Sequence, residues 1–91
     1  MNGITLESVE IMKNSLVKFN MTQEEMIRAL KSVYESLSNS WNDPKFVELG
    51  NALDSVYSIM NNSYVEVSKL VTNLQMIKEH LDDITRVKFG S

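Results

Sequence analysis

The chain has 91 residues, no cysteine, 9 Lys and Arg against 12 Asp and Glu, and a net charge of −3. That length allows one small domain with a thin core, which commonly leans on a staple or a partner, and the missing cysteines exclude disulfides and thiolate metal sites. The acidic balance argues against a nucleic-acid footprint, no apolar run approaches the roughly 18 residues of a membrane span, and Met1–Glu10 shows no secretory leader pattern.

In chain order, Thr5 is placed to cap a first helix, with Ile4 and Val9 as a hydrophobic staple. Val9, Met12, Leu16, Phe19, Gln23, Met26, Leu30, Val33 and Leu37 then follow an alternating 3,4 spacing, the seam of an amphipathic helix, broken only by Gln23. Thr22-Gln23-Glu24-Glu25 after Asn20 is a capping box that would interrupt this helix. The heptad phase runs straight through it from Phe19 to Met26, which favours one continuous helix over about 5–39. Ser38 to Asn42 is short and polar. Asp43-Pro44 combines a carboxylate for free amide groups with a residue whose missing N–H costs nothing at a helix start. The second helix, about 44–88, carries Phe46, Leu49, Leu53, Val56, Met60, Ser63, Val67, Leu70, Leu74, Ile77, Leu81 and Ile84 in the same spacing, broken only by Ser63, and Arg86, Lys88 and Gly90 suit its end. Of these 21 seam positions 19 are apolar, where a 43% hydrophobic chain gives about nine by chance.

The fold class expected is all-α: an antiparallel two-helix hairpin, turning at 40–43, that pairs into a four-helix bundle on dimerisation. Closing the hairpin sets Leu37 against Phe46, Leu30 against Leu53, Leu16 against Val67 and Val9 against Leu74. Gln23 then faces Met60 and Phe19 faces Ser63, a mid-hairpin polar layer that is either a register lock or a tolerated defect. Ile27, Tyr34 and Trp41 on helix 1, and Tyr57, Tyr64 and Val71 on helix 2, form flanking stripes seven residues apart. With Leu81 and Ile84 on the unmatched end of helix 2, these stripes are the expected partner-binding surface. Ser8, Ser15, Thr22, Ala29 and Ser36 form a row of small residues along helix 1, either a close-packing strip or solvent-facing filler.

Chemistry-bearing patterns are sparse. His80 has no converging ligands, the pairs Glu24/Glu25 and Asp82/Asp83 diverge by about 100° on a helix, and no phosphate loop or nucleophile motif occurs. Neither an enzyme nor a cofactor or metal is expected. The six methionines read as core filler, and Trp41 as a lid on the turn end of the hairpin.

A helical hairpin of this length with Trp41-Asn42-Asp43 in its turn resembles the WXG family of small type VII secretion proteins. The likeness spans nearly the whole chain, with Trp41 at the family's tryptophan and Asp43 in place of its glycine; Asn42 is able to supply the left-handed turn conformation instead. The family's C-terminal signal, Tyr or His followed four residues later by an acid, does not occur; the looser His80-Leu81-Asp82-Asp83 segment is the candidate. The resemblance implies a homodimer, or a heterodimer with a related helical protein such as the N-terminal region of a larger toxin. It further implies export from the cytoplasm of a Gram-positive bacterium by a type VII ATPase, without a cleaved leader. The alternative from the heptads alone is a structural or adaptor module, as in a phage or an intracellular assembly.

Overall fold

The computed structural model describes residues 5–41 and 43–88, with side chains up to Ile84. Two helices account for nearly all of it: α1, Leu6–Ser38, and α2, Pro44–Lys88, packed against each other. Their ends follow from local chemistry. The Thr5 hydroxyl accepts the Ser8 amide at 3.0 Å, and the Ser8 hydroxyl accepts the Thr5 amide at 3.1 Å, a reciprocal cap that satisfies two otherwise orphaned groups. The expected Ile4 contact to Val9 lies outside the described residues, as do Asn42 and Gly90. At the other end the Leu37 carbonyl accepts the amides of Ser40 and Trp41, at 3.1 and 2.9 Å, and the chain leaves the helix. Asp43 starts α2, its Oδ1 accepting the amides of Lys45 and Phe46 at 2.7 and 3.2 Å, with Pro44 at the first helical position. The capping box at Thr22 does not interrupt α1: the Thr22 hydroxyl bonds back to the Lys18 carbonyl at 3.1 Å, and the helix runs through.

The molecule is a rod of 70 × 18 × 17 Å. At 1.5 Å per residue the 45 residues of α2 alone reach about 67 Å, so one helix sets the long dimension. Its radius of gyration, 20.6 Å, compares with about 12 Å for a compact domain of this length. The core is correspondingly thin. Among the described residues only Val9, Asn20 and Gln23 are buried, and two of those three are polar.

The antiparallel register is the one the heptads predict. Val9 and Leu74 line one depression, and Leu30 and Leu53 another. The rotation of each helix about its own axis is not. Along α1 the side chains turned toward α2 are Val9, Lys13, Leu16, Asn20, Gln23, Ile27, Leu30, Tyr34 and Leu37, all buried or half-buried. Met12, Phe19, Met26 and Val33, expected in this seam, are 57, 50, 49 and 59% exposed. On α2, Tyr57, Tyr64 and Val71 are half-buried against α1, whereas Val56, Leu70, Ile77 and Ile84 are exposed. Both helices are thus turned by about half a residue step from the expected seam. The stripe expected to meet a partner, Ile27, Tyr34, Tyr57, Tyr64 and Val71, lies between the helices of one chain, and every second layer of the expected seam faces out, while Val9, Leu16, Gln23, Leu30 and Leu37 stay inside.

Candidate functional site

The rotation follows from pairing polar groups. One flank of the hairpin is closed by a ladder of interhelical contacts of α1 positions 10, 24 and 31 with α2 positions 78, 64 and 57, spaced fourteen and then seven residues apart. Glu10 meets Lys78, whose ammonium lies 2.5 Å from Glu10 Oε1, with Lys13 at 3.5 Å from the same oxygen. That oxygen is shielded from solvent, and its contacts are ion pairs rather than aligned hydrogen bonds. Contact with Lys78, reinforced by the charge of Lys13 and opposed by desolvation, holds the Glu10 carboxyl below its ordinary range; the same contact with Glu10 raises Lys78. Lys13 also donates to Gln75 Oε1 at 2.8 Å. Further along, the Glu24 carboxylate facing the Tyr64 phenol raises the phenol's pKa. The Lys31 ammonium lies 5.4 Å from the centre of the Tyr57 ring, a cation–π contact.

Between the rungs sits the buried polar layer. Asn20 Nδ2 donates to the Tyr64 carbonyl at 3.1 Å and to Ser68 Oγ at 3.2 Å, and Asn20 Oδ1 accepts from Gln23 Nε2 at 3.0 Å. Each residue is 7% exposed. Gln23 was visible in the sequence as a seam interruption; Asn20, which anchors the layer to α2, was not, because the apolar period places it outside the seam. The bond from the buried amide to the Ser68 hydroxyl depends on which α2 residue faces Asn20, so it favours this register in a way that a bond to a backbone carbonyl alone does not.

The opposite flank has no such ladder among the described residues. There Met12 and Ile77 border one open apolar depression with Val9 and Leu74, and Val33 and Leu49 border another with Leu30 and Leu53. Phe19, Met26, Val56 and Leu70 belong to the same heptad rows, so a band of uncovered apolar side chains runs along the rod. The small-residue row, Ser8, Ser15, Thr22, Ala29 and Ser36, is exposed along the outer border of that band on α1. None of the charged residues of α1 falls on the band or on the small row. Leu81 is half-buried and Ile84 exposed near the end of α2.

The turn holds a separate cluster. Tyr34 and Phe46 stack with centroids 4.4 Å apart and planes 6° from parallel, and Trp41 tilts onto Phe46 at 5.7 Å. Trp41 stays exposed; its indole N–H donates to Asp43 Oδ2 at 2.7 Å. That bond, with the Lys45 and Phe46 amides, lowers the Asp43 pKa against its desolvation. One carboxylate therefore caps α2 and fixes the tryptophan, which a glycine at position 43 cannot do. Gly50 borders the cluster: a Cβ there would stand 2.5 Å from the Tyr34 hydroxyl, so a larger residue makes the Tyr34 side chain shift.

His80 and Asp83 lie exposed on α2 with Asp82 half-buried beside them. No group of three or more metal-ligating side chains occurs among the described residues, and no described helix is long and apolar enough to cross a membrane. Comparisons with protein-family models, curated proteins and solved structures give no match.

Proposed function

We propose that this chain is a helical partner protein of the type VII secretion kind, exported by a membrane ATPase and acting as a secreted factor or as the escort of a larger toxin with a similar helical N-terminal region. The observation that carries this reading is the joint presence of a tryptophan-anchored helical turn and a rod-long apolar face that the chain leaves uncovered. Contiguous apolar surface on that scale marks an association site. A rod whose own helices are held in register by polar bonds presents such a face ready-formed, which limits the ordering cost of binding. His80, Asp82 and Asp83, near the exposed end of α2, are the residues proposed to be read during export.

Secretion from a type VII-competent Gram-positive host tests this. The full chain is expected in the medium only when the ATPase is present, and changing His80, Asp82 and Asp83 together to Ala is expected to retain it in the cells. Export that ignores the ATPase overturns the reading. Recovery of the chain only from the cytosol or from a particle does so too, in favour of a structural or adaptor module.

A further inference from the structure

We propose that the cleft between the helices on the polar flank, at the layer of Val17 and Val71, seats the ammonium end of a lysine side chain presented by a partner polypeptide. The inference goes beyond the secretion reading and does not use the apolar band, which lies on the opposite flank.

The cleft has a cause in side-chain length. On this flank α1 presents Glu10, Val17, Glu24 and Lys31, and α2 presents Lys78, Val71, Tyr64 and Tyr57 in matching order. Three of these layers join long side chains across the helices. The layer between them places Val17 and Val71 in one cleft, and short side chains between long ones leave a hollow of about 190 Å³. Val17, Met21 and Val71 give it an apolar wall, and Glu24, Tyr64 and Ser68 give it polar edges. Such a hollow fits an apolar stem that ends in a polar head.

The lining makes that head a cation. The Asn20 amide hydrogens are already donated to the Tyr64 carbonyl and to Ser68 Oγ, and its side-chain oxygen accepts from Gln23. Among the described residues lining the cleft Glu24 alone is charged, and its carboxylate is an acceptor only. The Glu10 carboxylate takes two ammonium groups, those of Lys78 and Lys13. Glu24 faces a phenol across the helices instead, and its cation is Arg28 on its own helix, 3.7 Å away and 69% exposed, a solvated pair of small worth. A second cation at Glu24 would reproduce the arrangement at Glu10. An ammonium, a compact charge with three donors on a flexible stem, suits this edge better than a planar guanidinium, which needs both carboxylate oxygens in its plane. The net charge of −3 favours the approach of a basic polypeptide.

The probe is Nα-acetyl-lysine methylamide, titrated into the full chain and followed by methyl NMR. Saturable shifts are expected at Val17, Met21 and Val71, in the millimolar range of a single shallow contact. The norleucine analogue, which keeps the stem and lacks the charge, is expected to bind about fivefold more weakly or worse. Glu24→Gln is expected to weaken lysine binding by a similar factor, and Arg28→Gln, which removes the competing cation, to strengthen it. Val17→Phe, which fills the hollow, is expected to abolish it, with circular dichroism verifying helix in each variant. Should Glu24→Gln fail to fold, the native chain carries the charge test, because binding is expected to fall as sodium chloride is raised. The absence of saturable shifts, equal binding of the norleucine analogue, or lysine binding indifferent to both Glu24→Gln and salt overturns the proposal. Cadaverine binding more than about tenfold tighter than the lysine probe overturns the polypeptide source in favour of a free diamine.

Discussion

The two flanks of the hairpin solve different problems with the same heptad spacing. On one, polar side chains reach across at multiples of seven residues, Glu10 to Lys78, Glu24 to Tyr64, Lys31 to Tyr57, with Asn20 bonded to the Tyr64 backbone beneath them. On the other, methionine, phenylalanine, valine and isoleucine stand in water. Polar contacts are directional and worth little per pair at a surface, so the first flank specifies register more than it stabilises. Apolar burial is non-directional and proportional to area, so the second flank holds adhesion that the monomer does not use. Hydrophobicity alone therefore points at the uncovered flank rather than at the contact the chain makes with itself.

The largest test of this contrast is at residues belonging to both surfaces. Leu30→Ala or Leu53→Ala removes packing in the hairpin and in the floor of the apolar band, with an expected loss of about 1–3 kcal/mol from half-buried sites, below the full range for buried leucines. Urea denaturation read by circular dichroism measures it, and a loss that grows with protein concentration would show that the band is covered by association. On the polar flank, Asn20→Ala leaves the Gln23 amide without its acceptor, at an expected cost of about 1–2 kcal/mol. Replacing Asn20 and Gln23 together by Leu is expected to cost less than Asn20→Ala alone while allowing several helix registers, resolved as peak multiplication in amide NMR spectra. A single sharp set of peaks would make the layer a tolerated defect rather than a register lock.

A smaller effect separates the turn from both flanks. Gly50→Ala gains helix propensity of about 1 kcal/mol but drives a methyl into the Tyr34 hydroxyl. It is expected to be neutral or destabilising in the native chain and to gain roughly 0.5–1 kcal/mol in a Tyr34→Phe background, as thermal melts of the four variants would show. The smallest effect is electrostatic. Because the Glu10 pKa is lowered in the fold, its stabilising contribution is fully present above its ordinary value of 4.5 and is lost as the pH falls through the folded value. Glu10→Gln is therefore expected to lower stability slightly at neutral pH, to flatten the acid limb, and to converge with the native chain once the pH lies below the folded value. An unchanged acid limb would remove this rung from the ladder.

Much of the fold could be read from residue types and their order. Thr5 and Asp43-Pro44 fix helix starts through hydrogen bonds made within a few residues, and the heptads fix a hairpin and its register because apolar layers must meet. The capping box at Thr22 was overruled because a continuous helix keeps every heptad layer aligned on both of its sides. Three features of the site were not legible. Asn20 gave no signal because its partners, Tyr64 and Ser68, are more than forty residues away. The pairing of Trp41 with Asp43 and the seat of Tyr34 on Gly50 depend on where side chains come to rest rather than on any spacing. The flanking stripe lies inside and every second layer of the expected seam outside, because an apolar period reports how greasy a face is and carries no information on which neighbour covers it.

The sequence by itself determined two long helices, their caps, their turn and the amount of apolar surface to be hidden, since these depend on backbone chemistry and on local composition. Only the tertiary structure decided how each helix is rotated, because that depends on whether buried amides and charges find partners across the hairpin. Satisfying Glu10, Asn20 and Gln23 on one side left Met12, Phe19, Met26 and Val33 on the other.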